Sequence, residues 1–154
     1  MPTDIQERCD TIEACYEFTL SYAAQGLPTD EGSPSGKQLR DHLARAVAAL
    51  SGIEASCAAA LKQEQLAPAE KFQAFFAVLA RDAQSTLVAI ELVLAQPAIS
   101  SQLIDNLNAS MHLRALLTDV FLIGDVLRAR PSAAKSAAQG VQPTEQEKAA
   151  ASAP

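Results

Sequence analysis

The sequence predicts an all-α protein, an antiparallel up-down-up-down four-helix bundle with a disordered C-terminal tail. Apolar residues recur at spacings of three and four over most of the chain. Glycine and proline gather between these segments, and beyond residue 130 large apolar residues almost vanish. Four helical segments with short connections favour antiparallel neighbours. We therefore expect one bundle domain over residues 1–130 and a flexible Ala/Ser/Gln/Pro-rich tail over residues 131–154.

The first predicted helix has clear signals at both ends. It covers residues 4–25, because Thr3 and Gln6 have the spacing of a capping box and Gly26 is a common helix stop. Residues 27–35 hold two prolines, a glycine and polar residues, which predicts a surface loop.

The other three predicted helices are bounded mainly by serine and proline. Ser35 is the expected N-cap of helix 2, which runs to about Gln65. Pro68 suits the first turn of helix 3, and Pro97 that of helix 4. Pro131 ends helix 4. The residues of helix 4 available for burial are Leu103, Leu107, Met111, Leu117, Val120, Phe121 and Leu127.

An alternative makes two segments strands. Residues 86–95 and 121–127 contain β-branched residues, but no Asn-Gly or Asp-Gly turn accompanies them. We therefore expect both segments to be helical.

Charge and composition exclude several classes of protein. The net charge of -6 and pI near 4.8 give no basic surface for nucleic acid or anionic lipid. The polar start lacks the pattern of a secretory signal, and no apolar window is long enough to span a membrane. Three cysteines, an odd number, suit a reducing compartment. We expect a cytoplasmic protein that binds neither nucleic acid nor membranes.

Motifs for metals and cofactors are missing from the sequence. A di-iron bundle needs Glu-x-x-His pairs, yet Leu39 precedes His42 by three residues and Ala109 precedes His112. The sequence contains no Cys-x-x-Cys-His haem motif, Gly-rich phosphate loop, nucleophile elbow or His-Glu-x-x-His zinc motif. The expected protein has no metal, no cofactor and no catalytic residues.

Two clusters are still candidates for binding chemistry. Folding helix 1 against helix 2 brings Cys9 and Cys57 within about a turn of each other, as a possible thiol pair. Folding helix 3 against helix 4 about Pro97 sets a mixed-charge group in the middle of the two helices, where it could orient a small anionic ligand or form a surface ion-pair network. This group comprises Arg81, Asp82, His112 and Arg114.

His42 is a candidate phospho-acceptor. With Arg45, Ala46, Ala48 and Gly52 after it, the stretch faintly resembles the His-x-Leu-Lys-Gly-x-Ala region of histidine phosphotransfer domains and its later glycine. It departs from that pattern at position 44, which is alanine rather than leucine, and at position 46, which is alanine rather than glycine. The resemblance implies an exposed histidine with a cation one turn away.

Helices 3 and 4 carry more apolar surface than one small core requires. Apolar residues appear on nearly every side of residues 87–94 and 113–127. Extended apolar patches usually mark interfaces, and a two-fold pairing would bury this one. The alternative is that helices 1 and 2 cover it. The interface candidates are Val88, Leu92, Val93, Leu116, Leu122, Ile123 and Val126.

These observations predict a non-enzymatic helical interaction module, an adaptor, regulator or chaperone-like protein. We expect a homodimer formed through helices 3 and 4, acting on another cytosolic protein of bacterial type. A bundle that binds a small ligand or metal is the first alternative, and phosphotransfer at His42 is the second.

Overall fold

The computed structural model describes residues 3–130, which fold as six helices with no strand in that range. The all-α prediction is confirmed, but the predicted second and fourth helices are each broken in two. The tail predicted over residues 131–154 lies outside the described residues. The helices are α1 (Asp4–Ala24), α2 (Pro34–Ser51), α3 (Ile53–Gln63), α4 (Ala69–Leu94), α5 (Ser101–Ala109) and α6 (Met111–Ala129).

Helix α1 begins where its capping box predicts. The Thr3 hydroxyl accepts from the Gln6 N–H, and the Gln6 side chain accepts from the Thr3 N–H at 2.9 Å. The helix ends one residue earlier than predicted, with Gln25 as its C-cap. It packs against α2 and α5. Its buried side chains are Ile5, Cys9, Ile12, Cys15, Thr19 and Tyr22.

The start of α2 corrects the predicted N-cap. Ser33, not Ser35, caps the helix, and its hydroxyl accepts from the Gly36 N–H at 3.0 Å. Pro34 then takes the first helical position, where the missing N–H is not needed. The serine before the proline is therefore the better start signal.

A bend of 50° separates α2 from α3 at Gly52. The last carbonyls of a helix lack partners within it. Here Arg8 of α1 donates from Nη1 to the carbonyls of Ala48 and Ala49, both at 3.2 Å, and from Nε to Ser56 Oγ at 2.7 Å. A Cβ on Gly52 would overlap this guanidinium. The hydrogen bonds from Arg8 join residues that are distant in the sequence, and a local pattern does not reveal such contacts.

A second arginine, Arg40 of α2, bonds the loop before α2 and the end of α4. Arg40 Nε pairs with Asp30 Oδ2 at 2.5 Å, and its other nitrogens donate to the carbonyls of Leu94 and Gln96, both at 3.1 Å. Asp30 Oδ1 accepts from the Ile99 N–H at 2.7 Å. This group, the Arg40 clasp, ties the loop before α2 to the C-terminal end of α4.

The predicted helix 4 starts later and is interrupted. Ser100, not Pro97, precedes the first turn, and its hydroxyl caps α5. Ser110 ends α5 in an extended conformation and accepts from the Leu113 N–H at 3.3 Å, which caps α6. Serine side chains satisfy backbone donors at both starts, which explains why helices begin there.

The core lies between α1, α2, α4 and the α5–α6 segment. Leu39, Leu43, Leu79, Ile104 and Leu116 are fully buried in it. The chain up to Gly124 forms one compact unit, and the last turns of α6 belong to a separate one. Among residues 3–130, no single helix is both long enough and apolar enough to cross a membrane. Helices α2 and α3 meet these two criteria only when they are taken together across their bend.

Candidate interaction surface

Four of the seven predicted interface residues are exposed on α4 and α6. The exposed fractions are 56% for Val88, 65% for Leu92, 52% for Leu122 and 39% for Val126. Side chains of this size are more often buried, and here they lie exposed on two helices.

Three interface candidates are core residues instead. Val93, Leu116 and Ile123 are buried, because their positions turn them toward the other helices. The structure also exposes Met111 and Phe121, which the apolar pattern assigned to the core. Met111 is the first residue of α6 after the break at Ser110, so the stripe of α5 does not continue through it.

One face of α4 carries a continuous outer stripe, which we call the α4 seam. Its residues are separated by alternating steps of four and three, the spacing of a coiled-coil seam. All are exposed except Val78, which is half-buried. The seam is small at its N-terminal end and large at its C-terminal end. It comprises Ala74, Val78, Arg81, Ser85, Val88 and Leu92.

Helices α4 and α6 run antiparallel beside this seam. Thr86 Oγ1 donates to the carbonyl of His112 at 2.9 Å. One turn earlier on α4, the carboxyl group of Asp82 meets that of Asp119. As the chain advances along α4, its contacts move backward along α6.

Asp119 is the most unusual polar residue of this region. Asp119 is 8% exposed, and its Oδ2 atom has no hydrogen-bond partner in the described part of the chain. Burial, and then the carboxyl group of Asp82, raise the pKa of Asp119 to about 7. Two neighbouring carboxyls in such a place favour a shared proton. In the sequence, this unusual environment is indicated by the position of Asp119 within the mostly apolar residues 116–123.

The predicted mixed-charge cluster does not assemble. Arg81, His112 and Arg114 are all exposed, and in residues 3–130 no ion pair joins any of them to Asp82. The breaks on either side of α5 shift the register of α6, so Asp82 faces Asp119. A site for a small anion gains no support from this arrangement.

The predicted thiol neighbours do lie close together. Cys9 and Cys57 are both buried, and they are near enough for an electrostatic interaction with Cys9 to raise the pKa of Cys57. Burial first, then Cys9 and Glu54, raise the pKa of Cys57 to about 12. Burial likewise raises the pKa of Cys15 to about 11. Thiolates are the reactive and metal-binding form, and the raised pKa values of Cys15 and Cys57 favour the protonated thiols.

His42 lies in a shallow groove between α1 and α2. Its ring stacks on Phe18, with ring centroids 4.5 Å apart and planes 20° from parallel. Burial, followed by the charge of Arg45, lowers the pKa of His42, and Asp41 opposes this shift. Asp10 and Arg45 line the same groove. The imidazole is therefore half-buried and held on one face, rather than fully exposed as the resemblance implied.

A small cavity in the core contains a polar group that the sequence analysis missed. Asn108 Oδ1 accepts from Thr19 Oγ1 at 2.9 Å, but Asn108 Nδ2 is buried and lacks a partner among residues 3–130. The cavity that both residues line admits no more than about one water molecule. It is too small for an organic ligand.

Within residues 3–130, no group of three or more His, Cys, Asp or Glu side chains could hold a metal ion. Comparison of the chain with protein-family models, with curated proteins and with solved structures found no match. The exposed apolar side chains of α4 and α6 are the candidate site.

Proposed function

We propose that this protein is a non-enzymatic helical interaction module, an adaptor or regulator that forms a homodimer through α4 and α6. One observation carries the proposal. Helices α4 and α6 expose Val88, Leu92, Met111, Phe121, Leu122 and Val126, whereas among the described residues of α1, α2 and α3 the only large apolar side chain that is similarly exposed is Leu20. Burial of these exposed apolar side chains in a contact between two molecules would favour association.

The architecture supports the same proposal. We propose that the six helices act as four antiparallel rods, with the α2–α3 and α5–α6 breaks inside two of them. In this arrangement the packing of α1 with α2 and α5, and of α2 with α4, leaves the outer sides of α4 and α6 for a partner. A second copy is the partner to which we commit.

Light scattering of the full chain over a range of concentrations tests the dimer. Native protein should change from monomer to dimer as concentration rises, and Leu92→Asp or Leu122→Asp should keep it monomeric. Leu20→Asp is the matched control, since Leu20 is 47% exposed on α1 and should leave the dimer unchanged. A monomer at every concentration, or equal loss of the dimer in all three variants, would contradict the proposal.

A second candidate function rests on the groove at His42. Burial lowers the pKa of His42, which favours the neutral imidazole that can act as a nucleophile, and Arg45 lines the same groove as a cation for a phosphoryl group. An imidazole nitrogen would attack the phosphorus of an acyl phosphate, forming an N–P bond while the carboxylate leaves with the electron pair of the broken P–O bond and the ring releases its N–H proton.

Incubation with acetyl phosphate tests this candidate. Native protein should gain one acid-labile phosphate, and His42→Gln should gain none. His112→Gln is the control, because His112 is exposed on α6 outside the groove. Equal labelling of His42→Gln and native protein would reject the function.

A further inference from the structure

We infer that the α4 seam pairs antiparallel with the α4 seam of a second copy, in a single register centred between Arg81 and Ser85. The inference rests on the proposed homodimer and goes beyond it by naming the helix, the direction and the residue layers of the contact.

The spacing of the seam supports a helix as the occupant. From Ala74 to Leu92 the steps are four, three, four, three and four residues, so the side chains stay on one narrow stripe of α4. At 1.5 Å per residue the stripe is about 27 Å long. A second straight helix can follow a stripe of this kind along its whole length, whereas a compact loop would touch only part of it.

The order of sizes along the seam selects a second copy in antiparallel direction. Reversing the stripe places Leu92 over the partner's Ala74, and Val88 over the partner's Val78. The end layers then join a large and a small side chain, and the next layers join two valines, so that no layer is overfilled or left empty. A parallel pairing would instead set Leu92 against the partner's Leu92 and leave a layer of two alanines, with a gap at that end.

The centre of the seam fixes the register. In the antiparallel arrangement Arg81 lies level with the partner's Ser85, whose hydroxyl can accept from the guanidinium. A shift by one seam position would place Arg81 against Val88 of the other copy, where its charge would be buried in an apolar layer, or against the partner's Arg81, which carries the same charge. A single polar layer specifies register in coiled coils at some cost in stability.

Cysteine cross-linking of the full chain tests direction and register together. A mixture of A74C and L92C proteins should form a mixed disulfide under mild oxidation, because the two positions share a layer and a disulfide requires Cα atoms about 4.4–6.8 Å apart. A74C alone and L92C alone should cross-link poorly. A mixture of A74C with L20C, and the native chain, whose cysteines are buried, serve as controls.

Exchanging the sizes within a layer gives a second, independent test. L92A should raise the dissociation constant of the dimer at least tenfold, and A74L should also raise it because two leucines crowd the layer. The double variant A74L/L92A restores one large and one small side chain to each layer and should recover most of the native affinity.

The outcomes separate the two levels of the proposal. A74C that cross-links with itself as well as with L92C, or a double variant weaker than both single variants, overturns the seam. A dimer by light scattering without the A74C–L92C cross-link also overturns the seam but leaves the homodimer standing, with α6 as its contact. A monomer by light scattering overturns both.

Discussion

Two regions of this molecule differ in whether their buried polar groups and apolar side chains are satisfied by contacts within the chain. Arg8 of α1 and Arg40 of α2 donate to carbonyls at the ends of α2 and α4, and Arg40 pairs with the buried Asp30. On the side of α4 and α6, large apolar side chains lie in solvent, and the buried Asp119 has an oxygen without a partner in the described part of the chain. The groups around Arg8 and Arg40 are satisfied within the described residues, whereas α4 and α6 leave apolar side chains exposed to solvent.

The largest expected loss of stability comes from opening the Arg40 clasp. Arg40→Ala leaves the carboxylate of Asp30, whose side chain is only 6% exposed, without its cation and removes donors from two carbonyls. We expect the free energy of unfolding to fall by about 3 kcal/mol, as when a buried pair loses one partner. Urea unfolding measures it. Arg45→Ala, which removes an exposed arginine from the same helix, should change stability by less than about 0.5 kcal/mol.

A glycine beside the same clasp gives the next largest effect. In most helices Gly→Ala gains about 1 kcal/mol. Gly36→Ala should instead lose about 2 kcal/mol, because the new Cβ would overlap the backbone of Asp30, which cannot swing away as a side chain would. The measurement is thermal or urea unfolding, with exposed Lys37→Ala as the neighbour control. A stabilised Gly36→Ala protein would show that the loop is not held against α2.

The smallest of these effects concerns the other side and depends on pH. The pKa of Asp119 is raised to about 7 in the folded protein, above its ordinary value, so the folded state binds the proton more tightly. This contribution to stability is complete at low pH and is lost as pH rises through 7. Partial exposure of the pair reduces its size, and we expect a loss of about 1 to 2 kcal/mol between pH 5 and pH 8.

Asp119→Asn should remove this slope. Urea unfolding at several pH values measures the difference between the native and variant proteins, which cancels the opposite contribution of His42, whose pKa is lowered. Asp105→Asn, an exposed acid on α5, should keep the native profile. If Asp119→Asn shows the same pH slope as native protein, the carboxyl pair does not share a proton.

The fold could be predicted from the sequence where the signal is local. Apolar periodicity gave the helical class, and the capping box at Thr3 gave the start of α1, because both depend on residues within a turn or two. The breaks at Gly52 and Ser110 were missed. The first is stabilised by Arg8, 44 positions earlier in the chain, and no local pattern records such a contact.

The candidate surface was predicted in part for a similar reason. An excess of apolar residues can be counted in the sequence, so Val88, Leu92 and Leu122 were found. Which side of a fully apolar helix faces outward depends on the neighbouring helices, and Val93 therefore lies in the core. Prediction of the Asp82–Asp119 contact would have required the register of α6 against α4. The breaks before and after α5 shift that register from the one expected for a continuous helix.

The Arg40 clasp also limits how the chain can be altered. Connections between helices usually accept insertions and new termini, since few contacts hold them. The connection before α2 is different, because Asp30 within it anchors both Arg40 and the backbone of Ile99. For circular permutation or for the insertion of a reporter domain, the exposed turn around Pro68, between α3 and α4, is the better place to open this chain.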